Sequence, residues 1–189
     1  ILRNPQAYHC SNIGASIEKF TLWFEQALAD KSIDVGIVLG AQLRPGLAGI
    51  SIIESPMMVL SHEHSAWRGR ETIALSELQH EPFLLYADTF TLNNLIVQAA
   101  HHAGFEPKVV CKSSQWEFMV KLVEANMGIA LLPQVFAEQV GHLHIHQAKL
   151  TEPQINWHLS MAWNTTVALS PAAQAWMAII EVHKQHIHL

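Results

Sequence analysis

The middle of the chain alternates short apolar runs with segments whose apolar residues recur at helical spacing. The apolar runs are Pro82 to Tyr86, Lys108 to Cys111 and Ile129 to Leu132, and each has the length of a strand. Segments 92–99 and 116–123, between them, carry apolar residues at helical intervals. Strands separated by helices pair in parallel, because the helix crosses back over the sheet. The pattern therefore predicts an α/β fold over residues 82–132.

Patterns on either side extend the same fold class. Further strands are predicted at Ile13 to Glu18, Ile33 to Leu39, Gly49 to Glu54, Met57 to Ser61, Leu143 to Leu150 and Trp157 to Trp163. Further helical segments are predicted at Thr21 to Asp30, Ala74 to Leu78, Pro133 to Gln139 and from Ser170-Pro171 onward, the last with a buried stripe of Trp176, Ile179, Ile180 and His183. Ser55-Pro56 interrupts two apolar runs, and we expect the chain to pass there from one lobe to another.

Three predicted strand-to-helix corners carry hydroxyl side chains. They lie at Glu18 to Thr21, Tyr86 to Thr91 and Lys112 to Trp116. Ser114 followed by Glu117 fits a capping box, with a helix starting at Gln115. Ligands of open α/β sheets bind at the carboxyl ends of strands, near helix N-termini. Capping explains each corner singly, whereas three such corners in a doubly wound fold would converge on a cleft that could bind a small anion.

Composition narrows the classes of function. The formal net charge is −5 and charged residues make up only 14%, with no run of Lys or Arg. The chain alone is therefore a poor nucleic-acid binder, since that affinity rests on neutralising phosphates. Two isolated cysteines fit reduced thiols in a cytoplasm, and no apolar stretch is long enough to span a membrane. The chain begins at Ile1, so we expect that it has lost a segment upstream.

Thirteen histidines raise the question of a metal site. His142, His144 and His146 alternate, so on a strand their imidazoles would share one face and could hold a transition metal. No cysteine or carboxylate cluster accompanies them, and the polar face of an edge strand needs only polar residues. We therefore predict no metal ligands. Catalysis is not expected either, because the sequence has no Gly-rich phosphate loop and no nucleophile elbow.

The order and spacing of several segments resemble the effector-binding domain of LysR-type transcriptional regulators over essentially the whole chain. The segments that carry the resemblance are Asp34 to Val38, Leu47 to Leu60, Leu78 to Tyr86, Gly104 to Pro107, Glu124 to Pro133, Trp157 to Trp163 and Ser170 to Trp176. Within the family, Phe83 to Leu92 and Ser113 to Phe118 look most similar to regulators of acetate and acetoin metabolism.

The resemblance implies two Rossmann-like lobes joined by two crossover strands, as in type II periplasmic binding proteins. Residues 1–57 and 164–189 would form the first lobe and residues 58–163 the second. Two departures stand out. The first strand and helix of the usual domain are missing before Ile1, and Lys31 replaces the glycine that the family has before its Ile-Asp pair.

The resemblance also implies which residues bind a small organic anion in the cleft between the lobes. They are Thr21, Thr89, Phe90, Ser114, Gln115 and Trp116. No cofactor is implied. The domain would assemble as a homodimer or tetramer, act in the cytoplasm, and reach DNA only through a helix-turn-helix domain outside this chain. A periplasmic solute-binding receptor shares the two-lobe architecture and remains the alternative.

Overall fold

The chain divides into two compact units. The computed structural model describes residues 24–39 and 43–183. Unit 1 comprises residues 1–54 and 158–189, and unit 2 comprises residues 55–157. The sequence prediction put these changes of unit at residues 57 and 163. The predicted strand Ile13 to Glu18 and Thr21 lie outside the described residues.

Among the described residues, unit 1 contains part of each of the two strands that continue into unit 2, together with one further strand and two helices. Its described elements are helix α1 (residues 24–29), strand β1 (Val35–Leu39), the first part of β2 (Leu47–His62), the second part of β8 (Asn156–Asn164) and helix α5 (Pro171–His183). Strand β8 lies between β1 and β2, and it pairs antiparallel with β1. The sequence prediction of a strand at Ile33 to Leu39 and of a helix after Ser170 is confirmed, and the Ser170 hydroxyl accepts a hydrogen bond from the Ala173 N–H at 3.3 Å.

The turn after α1 shows how Lys31 replaces the expected glycine. Lys31 adopts a φ of 62°, in the left-handed region that glycine occupies without steric cost. The buried Asn164 side chain supports this turn, because its amide donates to the Leu28 carbonyl at 3.0 Å and so satisfies a helix C-terminal group. The substitution therefore keeps the turn and carries a local conformational cost.

Unit 2 is built on strands that lie side by side in the order β2, β6, β4, β5. Its elements are the second part of β2, β3 (Thr72–Ala74), a 3₁₀ turn (Leu75–Leu78), β4 (Pro82–Tyr86), α2 (Thr91–His102), β5 (Lys108–Ser113), α3 (Trp116–Glu124), β6 (Ile129–Pro133), α4 (Gln134–Ala137), a second 3₁₀ turn (Glu138–Val140), β7 (Ile145–Thr151) and the start of β8. Strand β4 is parallel to both β5 and β6. The predicted α/β pattern over residues 82–132 is therefore confirmed.

The apolar runs of the sequence become the centre of the unit 2 core. Phe83, Leu84 and Leu85 of β4 are fully buried, and every residue of β6 is buried. Strands with apolar residues on both faces need cover on both faces, which crossover helices supply in parallel sheets. Helix α2 packs on the core through Ile96 and helix α3 through Val120. Over the described residues, no helix has both the length and the apolar character that crossing a membrane would require.

Strand β2 runs without a break through Ser55-Pro56, so the two strands predicted on either side are one strand, and the chain passes from unit 1 to unit 2 between Glu54 and Ser55, where a passage between lobes was expected. Its ladder with β6 starts at Met57, opposite Pro133, and its ladder with β7 starts at Met58. Pro56 precedes both ladders, so its missing N–H removes none of their hydrogen bonds. The short strand β3, which pairs parallel with β7, was not predicted.

Several apolar residues that fit the predicted helix and strand patterns are exposed. Leu95 of α2 is 41% exposed, and Trp176 of α5 is 53% exposed, so the predicted apolar stripes are only partly correct. Val109 and Val110 of β5 are 39% and 48% exposed, because β5 stands at the end of the strand order rather than inside the sheet. A repeating apolar pattern identifies a helix or strand, but it does not identify which apolar face the fold covers.

Candidate functional site

The carboxyl ends of β4 and β5 lie next to each other in unit 2. Tyr86 is opposite Ser113 in the parallel ladder, and the Ala87 N–H donates to the Ser113 carbonyl at 2.9 Å. The loops that follow the two strands, residues 87–90 and 114–115, therefore start side by side. Each loop leads directly into a helix, and this is the edge where α/β sheets bind ligands.

Neither of these helices is capped by its N-cap side chain. Helix α2 has Phe90 as its N-cap and α3 has Gln115, and neither side chain makes a capping hydrogen bond. The capping box predicted for Ser114 and Glu117 is therefore wrong. Ser113 makes the local turn instead: its hydroxyl accepts from the Gln115 N–H at 3.0 Å. N–H groups in the first turn of such helices, together with the helix dipole, favour an anion.

Five of the six predicted site residues lie on this edge of unit 2. Thr89, Phe90 and Trp116 are half-buried, whereas Ser114 and Gln115 are exposed. Phe90 stacks on Tyr86 with ring centroids 5.7 Å apart. The sixth predicted residue, Thr21, lies outside the described residues.

Tyr86 also belongs to this edge, although the sequence assigned it only to a buried strand. Its ring is buried, and burial raises the pKa of its hydroxyl, with a further contribution from the negative charge of Glu117. The hydroxyl therefore stays protonated at neutral pH, where it can donate a hydrogen bond. Its position as the last residue of a predicted strand was the signal that could have identified it.

An ion pair joins the end of β5 to the loop of residues 87–90. Lys112 Nζ lies 2.5 Å from Asp88 Oδ1, and the Asn93 side-chain amide donates to the same oxygen at 3.4 Å. With Glu117 in the first turn of α3, this edge carries two carboxylates and one ammonium. An anion bound here would therefore depend on hydrogen bonds rather than on an excess of positive charge. No sequence pattern indicates this ion pair, because it depends on the register between β4 and β5.

Two buried oxygens at the first turn of α2 have no hydrogen-bonding partner among the described residues. They are Thr91 Oγ1 and Asn93 Oδ1. Buried polar atoms nearly always form a hydrogen bond with the protein or with ordered water, so two such oxygens without a partner in one helical turn are uncommon. The first turn of α2 therefore buries more polar atoms than the apolar stripe of this helix predicts.

Trp116 packs against other aromatic residues. Its ring stacks on Phe136 of α4 with centroids 5.3 Å apart, and Phe136 meets Trp157 of β8 edge-on at 5.5 Å. Trp116 and Trp157 pack against the unit 2 core, and Phe136 packs against Trp116. Trp116 thus has a packing role as well as its place at the start of α3.

The histidines are not arranged as predicted. Strand β7 begins at Ile145, so His142 and His144 precede the strand. The His144 ring lies 3.0 Å from Glu63 Oε1, and this hydrogen bond holds the pKa of the Glu63 carboxyl below its usual value. In residues 24–39 and 43–183, no three His, Cys, Asp or Glu side chains are arranged to hold a metal ion.

Comparison with known proteins places this geometry in a family. A family model described as the LysR substrate binding domain matches residues 17–184. The uncharacterized HTH-type transcriptional regulator YwbI of Bacillus subtilis (strain 168) is 30% identical over 161 residues, which are 85% of this chain and 54% of that protein. The chain thus spans about half the length of the curated relatives it matches.

Solved structures agree with the sequence match. The effector binding domain of QuiR in complex with shikimate has a TM-score of 0.72 at 19% identity, covering 93% of this chain and 81% of that one. The BenM effector binding domain with its effector benzoate has a TM-score of 0.70 at 18% identity, covering 88% and 76%. The fold is thus the α/β fold of effector-binding domains, similar to that of type II periplasmic binding proteins. Because the family model matches most of its length, the chain belongs to the LysR substrate-binding-domain family.

Proposed function

We propose that this chain is the effector-sensing and dimerisation domain of a cytoplasmic LysR-type transcriptional regulator. A small organic anion would bind in the inter-lobe cleft expected for the family, contacting Thr89, Phe90, Ser114, Gln115 and Trp116 of unit 2 and Thr21 of unit 1. DNA would be bound by a helix-turn-helix domain outside this chain. The family match supports the class of protein.

The observation that carries the proposal is the pair of adjacent helix N-termini without N-cap side-chain bonds. The Ala87 N–H in the loop before α2 donates to the carbonyl of Ser113, the last residue of β5, so the loops that lead into the two helices start side by side. Two such termini offer backbone N–H groups to one carboxylate. Shikimate and benzoate, found in the QuiR and BenM structures, are both carboxylic acids, which supports this choice of ligand class.

Specificity would come from hydroxyl groups and apolar surface rather than from net charge. Asp88 already neutralises Lys112, so the incoming carboxylate would gain its affinity from backbone N–H groups and from Thr89 and Ser114. The Phe90 ring would contact the apolar part of the effector. By binding one arrangement of the domain better than another, the effector would shift the equilibrium between them.

Removing one hydroxyl is expected to weaken binding of the carboxylate. Of acetate, benzoate and shikimate, we expect at least one to show saturable binding to the protein by isothermal titration calorimetry. Ser114→Ala and Thr89→Ala should each raise its dissociation constant about tenfold, the value of one hydrogen bond to a charged group.

The matched control is Ser76→Ala, which removes an exposed serine from the first 3₁₀ turn of the same unit. It should leave the dissociation constant unchanged. The site would be assigned wrongly if Ser114→Ala and Thr89→Ala also bound as the unaltered protein does. Failure of every carboxylate in the panel would reject the ligand class.

We infer that the outer edge of β5 contributes to dimerisation. Strand β5 pairs only with β4 among the described strands, and its residues Val109 and Val110 are exposed. An unpaired strand edge with apolar side chains is a ready surface for another chain. A second copy of the domain is the occupant that the homodimer expected for the family would supply.

Val110→Lys is expected to raise the dimer dissociation constant at least about tenfold, because an ammonium would lose water at the interface. Sedimentation equilibrium would measure it. Val182→Lys, which changes an exposed valine on α5 of unit 1, is the control and should leave assembly unchanged. Equal behaviour of the two variants would place the dimer interface elsewhere.

A further inference from the structure

Both strands that cross between the units contact the same short helix in unit 2. Ser55, the first residue of unit 2, lies in β2, and its buried hydroxyl accepts a hydrogen bond from the Val135 N–H at 3.3 Å. Trp157, the last residue of unit 2, lies in β8 and meets Phe136 edge-on at 5.5 Å. Val135 and Phe136 are neighbours in α4, so this helix is attached to both crossing strands where they leave the unit.

Phe136 also contacts the candidate site. Its ring stacks on Trp116, the first residue of α3, with centroids 5.3 Å apart and planes inclined by 23°. Phe136 is thus held between the helix that starts at the site and strand β8. The carboxyl end of α4 is held as well, because the Gln147 side-chain amide of β7 donates to the Ala137 carbonyl at 2.9 Å.

We propose that Phe136 is a positioning residue that couples the start of α3 to the two crossing strands. This inference rests on the proposed function, in which Trp116 lies at the effector site. Trp116, Phe136 and Trp157 are half-buried rings in direct contact, so a shift of one ring changes the packing of the next. Displacement of Trp116 would therefore be passed to Phe136, then to Trp157 by ring contact and to Ser55 through α4. Strands β2 and β8 continue from these residues into unit 1.

Such a coupling needs evidence beyond proximity, and a double-mutant cycle provides it. The reporter is the amide of Met57 in β2, which donates at 3.1 Å to the carbonyl of Ile155, the residue immediately before β8. Its hydrogen exchange measures local opening without any ligand. Trp116→Leu and Phe136→Leu should each speed exchange of this amide about twofold to tenfold, the range for one aromatic pair.

The double variant decides whether the effect passes through Phe136. If it does, Trp116→Leu adds no further acceleration in the Phe136→Leu background. Phe118→Leu is the matched control, since it replaces an exposed aromatic residue in the same helix and should leave the Met57 amide unchanged. Phe136→Tyr keeps the ring and should retain the exchange rate of the unaltered protein, even if Phe136→Leu is poorly folded.

The proposal is overturned if Trp116→Leu leaves Met57 exchange unchanged, if the two accelerations multiply, or if Phe118→Leu has the same effect as Trp116→Leu. It is also overturned if Phe136→Tyr accelerates exchange as much as Phe136→Leu. Because the experiment uses no ligand, its result is separate from that of the carboxylate panel. If no carboxylate of the panel binds while the double-mutant cycle shows coupling, the proposed effector class is rejected and the coupling through Phe136 stands.

Discussion

Phe83→Ala is expected to lower the free energy of unfolding by about 3–5 kcal/mol. Phe83 is fully buried in β4, where it lies opposite Val109 of β5 and Ile129 of β6. Its ring also approaches Phe105 at a centroid distance of 6.0 Å. Because β4 is hydrogen-bonded to a strand on each side, its backbone cannot move to fill the space left by the ring, and a cavity would remain. Urea unfolding followed by circular dichroism measures the change.

Phe118→Ala is the matched control for this prediction. Phe118 is 48% exposed on α3, so its truncation removes little buried contact. The change in unfolding free energy should stay within about 0.5 kcal/mol, as for most surface substitutions. If the two alanine variants were destabilised equally, β4 would not be the centre of the unit 2 core.

Gly128→Ala is expected to destabilise the protein by about 1–3 kcal/mol, because the new methyl group meets backbone that cannot move freely. A Cβ on Gly128 would lie 2.5 Å from the Pro82 carbonyl oxygen and 3.2 Å from its carbonyl carbon. These atoms belong to the start of β4, which pairs with β6 one residue after Gly128. Relief of the clash would require β4 and β6 to separate. Urea or thermal unfolding tests the prediction.

Gly141→Ala separates this clash from a general cost of replacing glycine. Gly141 has a φ of −62°, and the nearest atom to its added Cβ is the Glu138 carbonyl oxygen at 3.7 Å. The substitution should raise stability by about 0.4–1 kcal/mol, since it restricts the unfolded chain without strain. Destabilisation by Gly141→Ala as large as that by Gly128→Ala would contradict the explanation from the Pro82 contact.

Elements whose apolar residues are buried on every side were the most predictable. Pro82 to Tyr86 was predicted as a strand with the bounds that β4 has, and Ile129 to Leu132 agrees with β6 to one residue. A short, continuous apolar run next to Gly or Pro is best buried as a strand inside a sheet, so the local sequence was enough to predict these elements.

Exposure and capping were less predictable, because they depend on partners that are remote in sequence or on details of one turn. Leu95 fits the apolar stripe of α2, and nothing in the helix itself shows that the fold leaves it exposed. Positions 113 and 114 are both serine, so residue type alone does not distinguish them. Only the path of the backbone decides that Ser113 bonds the Gln115 N–H while Gln115 becomes the N-cap.

The candidate site was predictable where a strand runs into a helix. Thr89, Phe90 and the segment from Ser114 to Trp116 all follow predicted strands, and they lie on one edge of unit 2. The Lys112 to Asp88 ion pair could not be predicted, because it requires knowing that β5 lies beside β4 and in which register. The role of Thr21 and the effector itself stay predictions.

The division of the chain into units constrains the order in which they can fold. Unit 2 is one continuous segment, whereas unit 1 is assembled from the two ends of the chain. The β1 ladder with β8 joins Val35 to Trp163, so it cannot form before the whole of unit 2 has been synthesised. Loop closure over that distance costs less entropy once the intervening segment is compact. Unit 2 is therefore expected to act as the template that brings the two halves of unit 1 together.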